Sequence, residues 1–271
     1  MSSNKILEMI PRYFAPSSWW EHVPVAHWLV ERIKPNIIVE LGSHYGVSLF
    51  SFCEAAEKYS PGTFVHAVDT WEGDKQAGYY DNEVYRTVSE HRSKYHAERC
   101  NLIRSTFDKA ASYFSDKTID ILHIDGLHTY EAVKNDYLVW NKKLKKGGSI
   151  IFHDWNVRTR DFGVWKLWDE IKNEKQYHYI EIPYGYGLGI ITRSEVKPDW
   201  HEDLQEDLVT LRTRGILLSK IQKSKEEIAM LESRVLELTK HSKNLEAIKL
   251  ENDKHIRSLI ENNKKRISFF G

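Results

Sequence analysis

No stretch of this 271-residue chain reaches the ~18 consecutive apolar residues that span a bilayer. The opening MSSNKILEMI has no long apolar run for export, so a cytoplasmic protein is expected, one that reaches the inner face of a membrane only through a partner. There are 2 cysteines, Cys53 and Cys100, with neither CxxC spacing nor a disulfide framework. They read as buried thiols in a reducing compartment. An excess of either charge is also missing: Lys plus Arg and Asp plus Glu both number 39, which leaves no basic field for a polyphosphate backbone and argues against nucleic acid as a partner. The GxGxxG pattern that admits a pyrophosphate is absent as well.

What is present is an alternation. From Ile37 to Arg193 short β-branched runs alternate with helical patterns, the form of repeated βα units and a parallel sheet. Strands are predicted at 37–41, 63–69, 101–104, 119–125, 149–154, 177–182 and 188–192. The last two are joined by PYGYG at 183–187, too short for a crossover helix, so they should pair antiparallel. The expectation is an α/β, Rossmann-like seven-stranded sheet over residues 1–200, with N-terminal helices, distinct at its end from an all-parallel dinucleotide-binding sheet.

Beyond 197–199 glycine, proline and aromatics nearly vanish and Glu, Lys, Leu and Ile take over. Positions 221, 228, 235, 242, 249 and 256 read Ile, Ile, Val, Ser, Lys and Ile, and positions 217, 224, 231, 238, 245, 252 and 259 read Leu, Ser, Leu, Leu, Leu, Asn and Leu. This heptad, β-branched at a and leucine at d, predicts a parallel coiled coil over 216–266 that makes a homo-oligomer, with a dimer and a trimer both open. Ser242, Lys249 and Asn252 weaken the seam. Leu204, Leu208 and Leu211 follow a register that fails at Gly215, so 201–215 is predicted to be a linking helix packed on the first domain. The terminal run 263–270 (NKKRISFF) reads as a frayed helix end in preference to a lipid contact.

The strand at 37–41 ends in a turn, Gly42-Ser43-His44-Tyr45-Gly46, that opens into a helix. A glycine turn alone is as easily an ordinary βα connection. Three further features point to a ligand. Glu40 is placed to meet a cationic amino group. Asp69, at the end of the second strand and followed by Thr70, can accept ribose hydroxyls. Ser105, Thr106 and Phe107 can bracket an adenine ring. Together with Gly42, Ser43, Gly46 and Asp125, these residues describe a nucleoside with a cationic tail at the carboxyl edge of the sheet.

The fourth and fifth strands deliver HIDGLHTY (123–130) and FHDW (152–155) to that same edge, so Asp125, His128, His153 and Asp154 should converge. The competing reading, helix caps and satisfied core histidines, is weaker, because ionisable groups rarely cluster at strand ends for packing alone. Asp125, His153 and Asp154 suit Mg²⁺, or Mn²⁺ if His153 coordinates directly. Asp125 and His128 are the expected catalytic pair, with His128 as general base.

The runs VELGSHYGVS (39–48), AVDTWEGD (67–74), HIDGLHTYEAV (123–133) and GGSIIFHDW (147–155) resemble class I S-adenosylmethionine-dependent methyltransferases of the macrocin O-methyltransferase type and their relatives in bacterial O-antigen and surface-glycan clusters. The resemblance spans about Ile37 to Arg193. It implies the strand order 3-2-1-4-5-7-6, S-adenosylmethionine as donor, a sugar or polysaccharide hydroxyl as acceptor, Mg²⁺ at Asp125 and Asp154, and His128 as base. His153 departs from it, standing where such enzymes usually carry a second acidic residue. Trp19, Trp20, Trp71, Tyr79, Tyr80, Trp155, Tyr184 and Tyr186 are candidates for stacking on sugar faces, and 71–98 is long enough to form an acceptor lid. Two other functions compete: a catalytically silent scaffold organising glycan-synthesis enzymes through its coiled coil, and a non-haem iron oxygenase using the His/Asp cluster.

Overall fold

The computed structural model describes Ile6, residues 8–159 and residues 161–269, with side chains up to residue 265. Most of the opening segment read for an export signal, and Phe270 of the terminal run, lie outside the described residues. The chain forms two compact units, one ending at Lys220 and one beginning at Ile221.

In the first unit, β1 (Ile37–Leu41), β2 (Phe64–Asp69), β5 (Cys100–Arg104), β6 (Ile119–Ile124), β7 (Leu144–His153), β8 (Tyr177–Ile182) and β9 (Leu188–Arg193) form one sheet in the order β5-β2-β1-β6-β7-β9-β8. This is the predicted order. β9 is antiparallel to both β7 and β8, and the other pairings are parallel. The central strands are β-branched because both faces are covered. Period-two alternation sends Ile38 into the core on one face and Val39 and Leu41 into the core on the other. Glu40 falls on the Ile38 face and is fully buried there. Strand β7 begins five residues earlier than predicted, at Leu144, because Ile119 pairs with Leu144 before a register shift restores Ile121 to Ser149.

The first face is covered by α1 (Val23–Ile33) and α2 (Val47–Tyr59), and the second by α5 (Tyr130–Trp140) and α6 (Val164–Ile171). Between β2 and β5 lie a small hairpin, β3 (Gly73–Asp74) with β4 (Gly78–Tyr79), and α3 (Asn82–Tyr95), whose N-terminus is capped by the Asp81 carboxylate accepting from the Glu83 N–H. A four-residue helix, α4 (Phe107–Ala110), follows β5. Trp19, Trp20, Trp71, Trp155 and Tyr184 are buried, whereas Tyr79 and Tyr186 are exposed. Most of the aromatics therefore belong to the core.

The last helix, α7, runs unbroken over Trp200–Phe269. Leu204, Leu211 and Leu218 are completely buried in the first unit, with Leu208 packed beside them. The expected failure at Gly215 is a continuation: 204, 208, 211, 215 and 218 follow one helix face, and a Cβ at Gly215 would lie 2.3 Å from the Glu21 carbonyl oxygen. Glycine is required there because the 3₁₀ turn Ser18–His22 presses on the helix backbone. The packed portion accordingly extends to Lys220, five residues past the predicted boundary. In the second unit, Ile228, Leu231, Val235, Leu238, Leu245, Ile256 and Leu259 are all exposed. No described helix is long and apolar enough to cross a membrane.

Candidate active site

A cleft of about 750 Å³ opens at the carboxyl ends of β1, β2, β6 and β7, a size suited to a small-molecule ligand. Its floor is the 42–46 turn. Gly42 adopts φ +86°, and a Cβ on it would meet the Asp125 carbonyl oxygen at 2.1 Å, so only glycine lets β1 and β6 release their chains so close together. Gly46, at φ +79°, is the N-cap of α2. The turn is fastened by Asp69, whose Oδ2 accepts from the N–H groups of Ser43 (2.8 Å) and His44 (3.0 Å) while Oδ1 accepts from Trp71 N–H (2.7 Å).

Gly42, Ser43, Gly46, Asp69, Thr70, Thr106, Phe107 and Asp125 all line the cleft. Glu40 and Ser105 do not. Glu40 pairs in register with His123 across β1 and β6 and lies 3.0 Å from its Nδ1, while the Ser43 hydroxyl donates to the other carboxylate oxygen at 2.6 Å. Both of its oxygens are therefore engaged inside the sheet. The Ser105 hydroxyl is buried with no hydrogen-bond partner among the described residues.

Ionisable groups from the ends of β6 and β7 line the same cleft. His128 Nε2 lies 3.1 Å from Asp125 Oδ1 and 3.1 Å from Asp154 Oδ2, and its ring stacks on Phe162 with centroids 5.0 Å apart. Donor atoms of Asp125, His128 and Asp154 lie within 4.8 Å of one another and could hold a divalent cation. Neither carboxylate caps a helix: Thr129 caps α5, and Gly163 is the N-cap of α6. Asp154 itself adopts φ +60°, a conformation that costs energy outside glycine and gathers at functional sites.

The structure puts His128, not His153, in that donor set. His153 is buried beneath the cleft, its Nδ1 3.2 Å from Asp125 Oδ1 and 3.3 Å from Asp154 Oδ1. Burial alone would push its imidazole down, but the two carboxylates outweigh burial and hold it up at about 10. It is thus a charged donor to both carboxylates. For Asp125, burial would raise the carboxyl, yet His153 and His128 hold it well below the usual range. Burial would likewise lower His128, and Asp125 with Asp154 keeps it raised.

Trp19 and Tyr80, read as sugar-stacking candidates, line the cleft with His44 of the turn, whereas Phe162 and Gln76 carried no signal in the sequence. Gln76, on the hairpin loop, accepts from the His128 N–H (2.9 Å) and donates to Asp161 (2.9 Å), so the hairpin clasps the loop that carries His128. A glutamine 52 positions away has no periodicity that could announce this contact.

Comparison with known proteins agrees with this geometry. Residues 39–155 match the methyltransferase domain family. An uncharacterized protein of Sinorhizobium fredii, y4gI, is 39% identical over 202 residues, which is 74% of this chain; the chain spans 21% of that relative's length. Among solved structures, a methyltransferase from Geobacter sulfurreducens superposes with a TM-score of 0.52 at 17% identity, covering 71% of this chain and 89% of that one. A candidate caffeoyl-CoA O-methyltransferase from Staphylococcus aureus superposes with a TM-score of 0.50 at 18% identity, covering 63% and 82%. The first unit has the Rossmann-like fold of class I S-adenosylmethionine-dependent methyltransferases.

Proposed function

We propose that the protein transfers a methyl group from S-adenosylmethionine to a hydroxyl of a sugar, on a bacterial surface glycan of the O-antigen kind. The observation that carries the reading is the continuity of one cleft, glycine-floored at Gly42 and Gly46 and ending in Asp125, His128 and Asp154. The residues present fit the donor. The glycines leave room for backbone approach, Asp69 keeps acceptor capacity beside the turn for ribose hydroxyls, and Phe107 offers an aromatic face. A sulfonium cofactor supplies an activated methyl whose departure needs no proton, so the chain's task is to align and deprotonate an oxygen. Asp125 and Asp154 fit a hard divalent cation such as Mg²⁺, or Mn²⁺, which would lower the pKa of a bound hydroxyl. His128, whose Nε2 faces both carboxylates, is the proposed general base: with the carboxylates engaged by the cation, Nε2 would be released from them to take the hydroxyl proton. His153 neutralises the pair from below and fixes their orientation.

An iron oxygenase is disfavoured by the donor set, which offers one imidazole with two carboxylates where that chemistry uses two imidazoles with one. The heptad seam proposed for 216–266 supports self-association, because its apolar positions from Ile221 to Leu259 are exposed in a single copy. Several sites held together in this way would gain avidity for a repetitive polymer. Incubation with methyl-labelled S-adenosylmethionine and a panel of glycans, read by mass spectrometry, tests the function: a mass increase of one methyl is expected, abolished by Asp125→Ala. Calorimetry that finds tight NAD binding and no S-adenosylmethionine binding overturns it. A scaffold predicts that Asp125→Ala keeps its biological activity.

A further inference from the structure

A second cluster of ligating side chains lies outside the cleft. Glu54, on the second helix of the sheet layer, faces His91 on α3 and His96 just beyond its end. One donor atom from each lies within 4.8 Å of the other two. None of the three lines the cleft described above. Two features separate this cluster from an aromatic box that happens to contain histidines. His96 is 5% exposed, and its Nε2 is buried with no hydrogen-bond partner among the described residues; the same holds for His91 Nε2. Buried imidazole nitrogens left without a partner cost free energy unless something satisfies them. The other His96 nitrogen, Nδ1, lies 2.6 Å from Glu57 Oε1, the carboxylate–imidazole arrangement that orients a ligating ring and fixes its tautomer.

We propose that Glu54, His91 and His96 form a binding site for a divalent transition metal ion, with zinc as the best match. Two imidazoles and one carboxylate are a zinc donor set that leaves a fourth position for water. Electrostatics permits the ion. The neighbouring groups are Arg12, whose backbone N–H and guanidinium engage Glu54 and whose guanidinium also pairs with Glu57, and Lys94, which lines the adjacent surface cleft with Glu57, Tyr95 and His96. The carboxylates of Glu54 and Glu57 offset the charges of Arg12 and Lys94. His91 is only half-buried, and with the adjacent cleft it gives a hydrated ion a way in. The ion would tie α3 to the second helix, fixing the segment that follows the hairpin over the main cleft. The inference does not depend on methyl transfer.

The test uses the full chain, stripped with chelator and titrated with Zn²⁺ and Co²⁺ alone. An Asp125→Asn/Asp154→Asn background removes the other cluster; should that variant not fold, the wild type serves, with two equivalents expected in place of one. One equivalent should bind in the background, raising its melting temperature, and His91→Gln or Glu54→Gln should each weaken it by at least about tenfold. His91 is the primary substitution because it is the least buried of the three. The Co²⁺ complex should show visible d–d absorption without a thiolate charge-transfer band. Absence of binding, binding unchanged by His91→Gln, or a thiolate band implicating the buried Cys53 and Cys100 would each overturn the proposal.

Discussion

Among the described residues are two triads of carboxylate and imidazole, and burial acts on them in opposite ways. At Asp125, His128 and Asp154, opposite charges meet at 3.1–3.3 Å, and their mutual attraction outweighs burial: Asp125 is driven down and His153 up to about 10. At Glu54, His91 and His96, desolvation dominates: Glu54 is pushed up to about 7 despite Arg12 beside it, and burial, aided by His96 and Arg12, pushes His91 down to about 4. The first triad is charged and opens onto a cleft; the second is close to neutral and packed among rings, with Tyr13 and Phe50 each 4.5 Å from His91. Similar residue types thus hold opposite charges in contact in one cluster and stay close to neutral in the other.

The largest way to break this contrast is Asp125→Ala, which should lower methyl transfer by about 10³-fold while leaving S-adenosylmethionine affinity within about tenfold, measured by single-turnover kinetics and calorimetry. His128→Gln should cost about 10²-fold in the rate of transfer. Glu54→Gln, in the second triad, should leave the rate within about twofold; a loss as large as that of Asp125→Ala would erase the distinction drawn above. Substitution at Gly42 probes the floor of the cleft beside the first triad. Gly42→Ala must hold φ +86° and clear the Asp125 carbonyl, so it should destabilise the fold by on the order of 2 kcal/mol in a denaturant titration and weaken cofactor binding.

Acid sharpens the comparison from the side of burial. His27 is 1% exposed, neither ring nitrogen has a partner among the described residues, and burial lowers it to about 3. The unfolded chain takes up that proton near 6.5 and the folded chain only near 3, so the unfolded state binds more protons across that window. Stability contributed by neutral His27 is present above 6.5 and is lost as pH falls towards 3, by about 2 kcal/mol at pH 5. His27→Phe should flatten the fall in melting temperature between pH 7 and 5. A fall of unchanged size would show that other groups dominate acid unfolding.

Much of the fold was legible because it rests on short-range periodicity. The alternation in IIVEL, the turn at 183–187 and the strand-ending Asp and His residues gave the sheet, its antiparallel end and the edge where the ionisable groups meet. Legibility stopped where contacts cross the sheet. Glu40 was read as a cofactor contact because it precedes the glycine turn, but register places it opposite His123 on the buried face. His153 was read as a ligand because it adjoins Asp154, but alternation along β7 turns it below the carboxylates, and His128 takes its place. Gly215 looked like a break in a heptad and is the point where the Glu21 backbone touches the helix.

The sequence by itself determined where the seven strands of the main sheet lie and the charge types delivered to its edge, since period and composition are local properties. Only the tertiary structure decided which oxygen each imidazole reaches, that Gln76 holds the His128 loop, and that Glu54 meets His91 and His96. Those pairings join residues 26 to 52 positions apart, or settle angles between neighbouring side chains, and depend on how closely packed helices and strands approach one another.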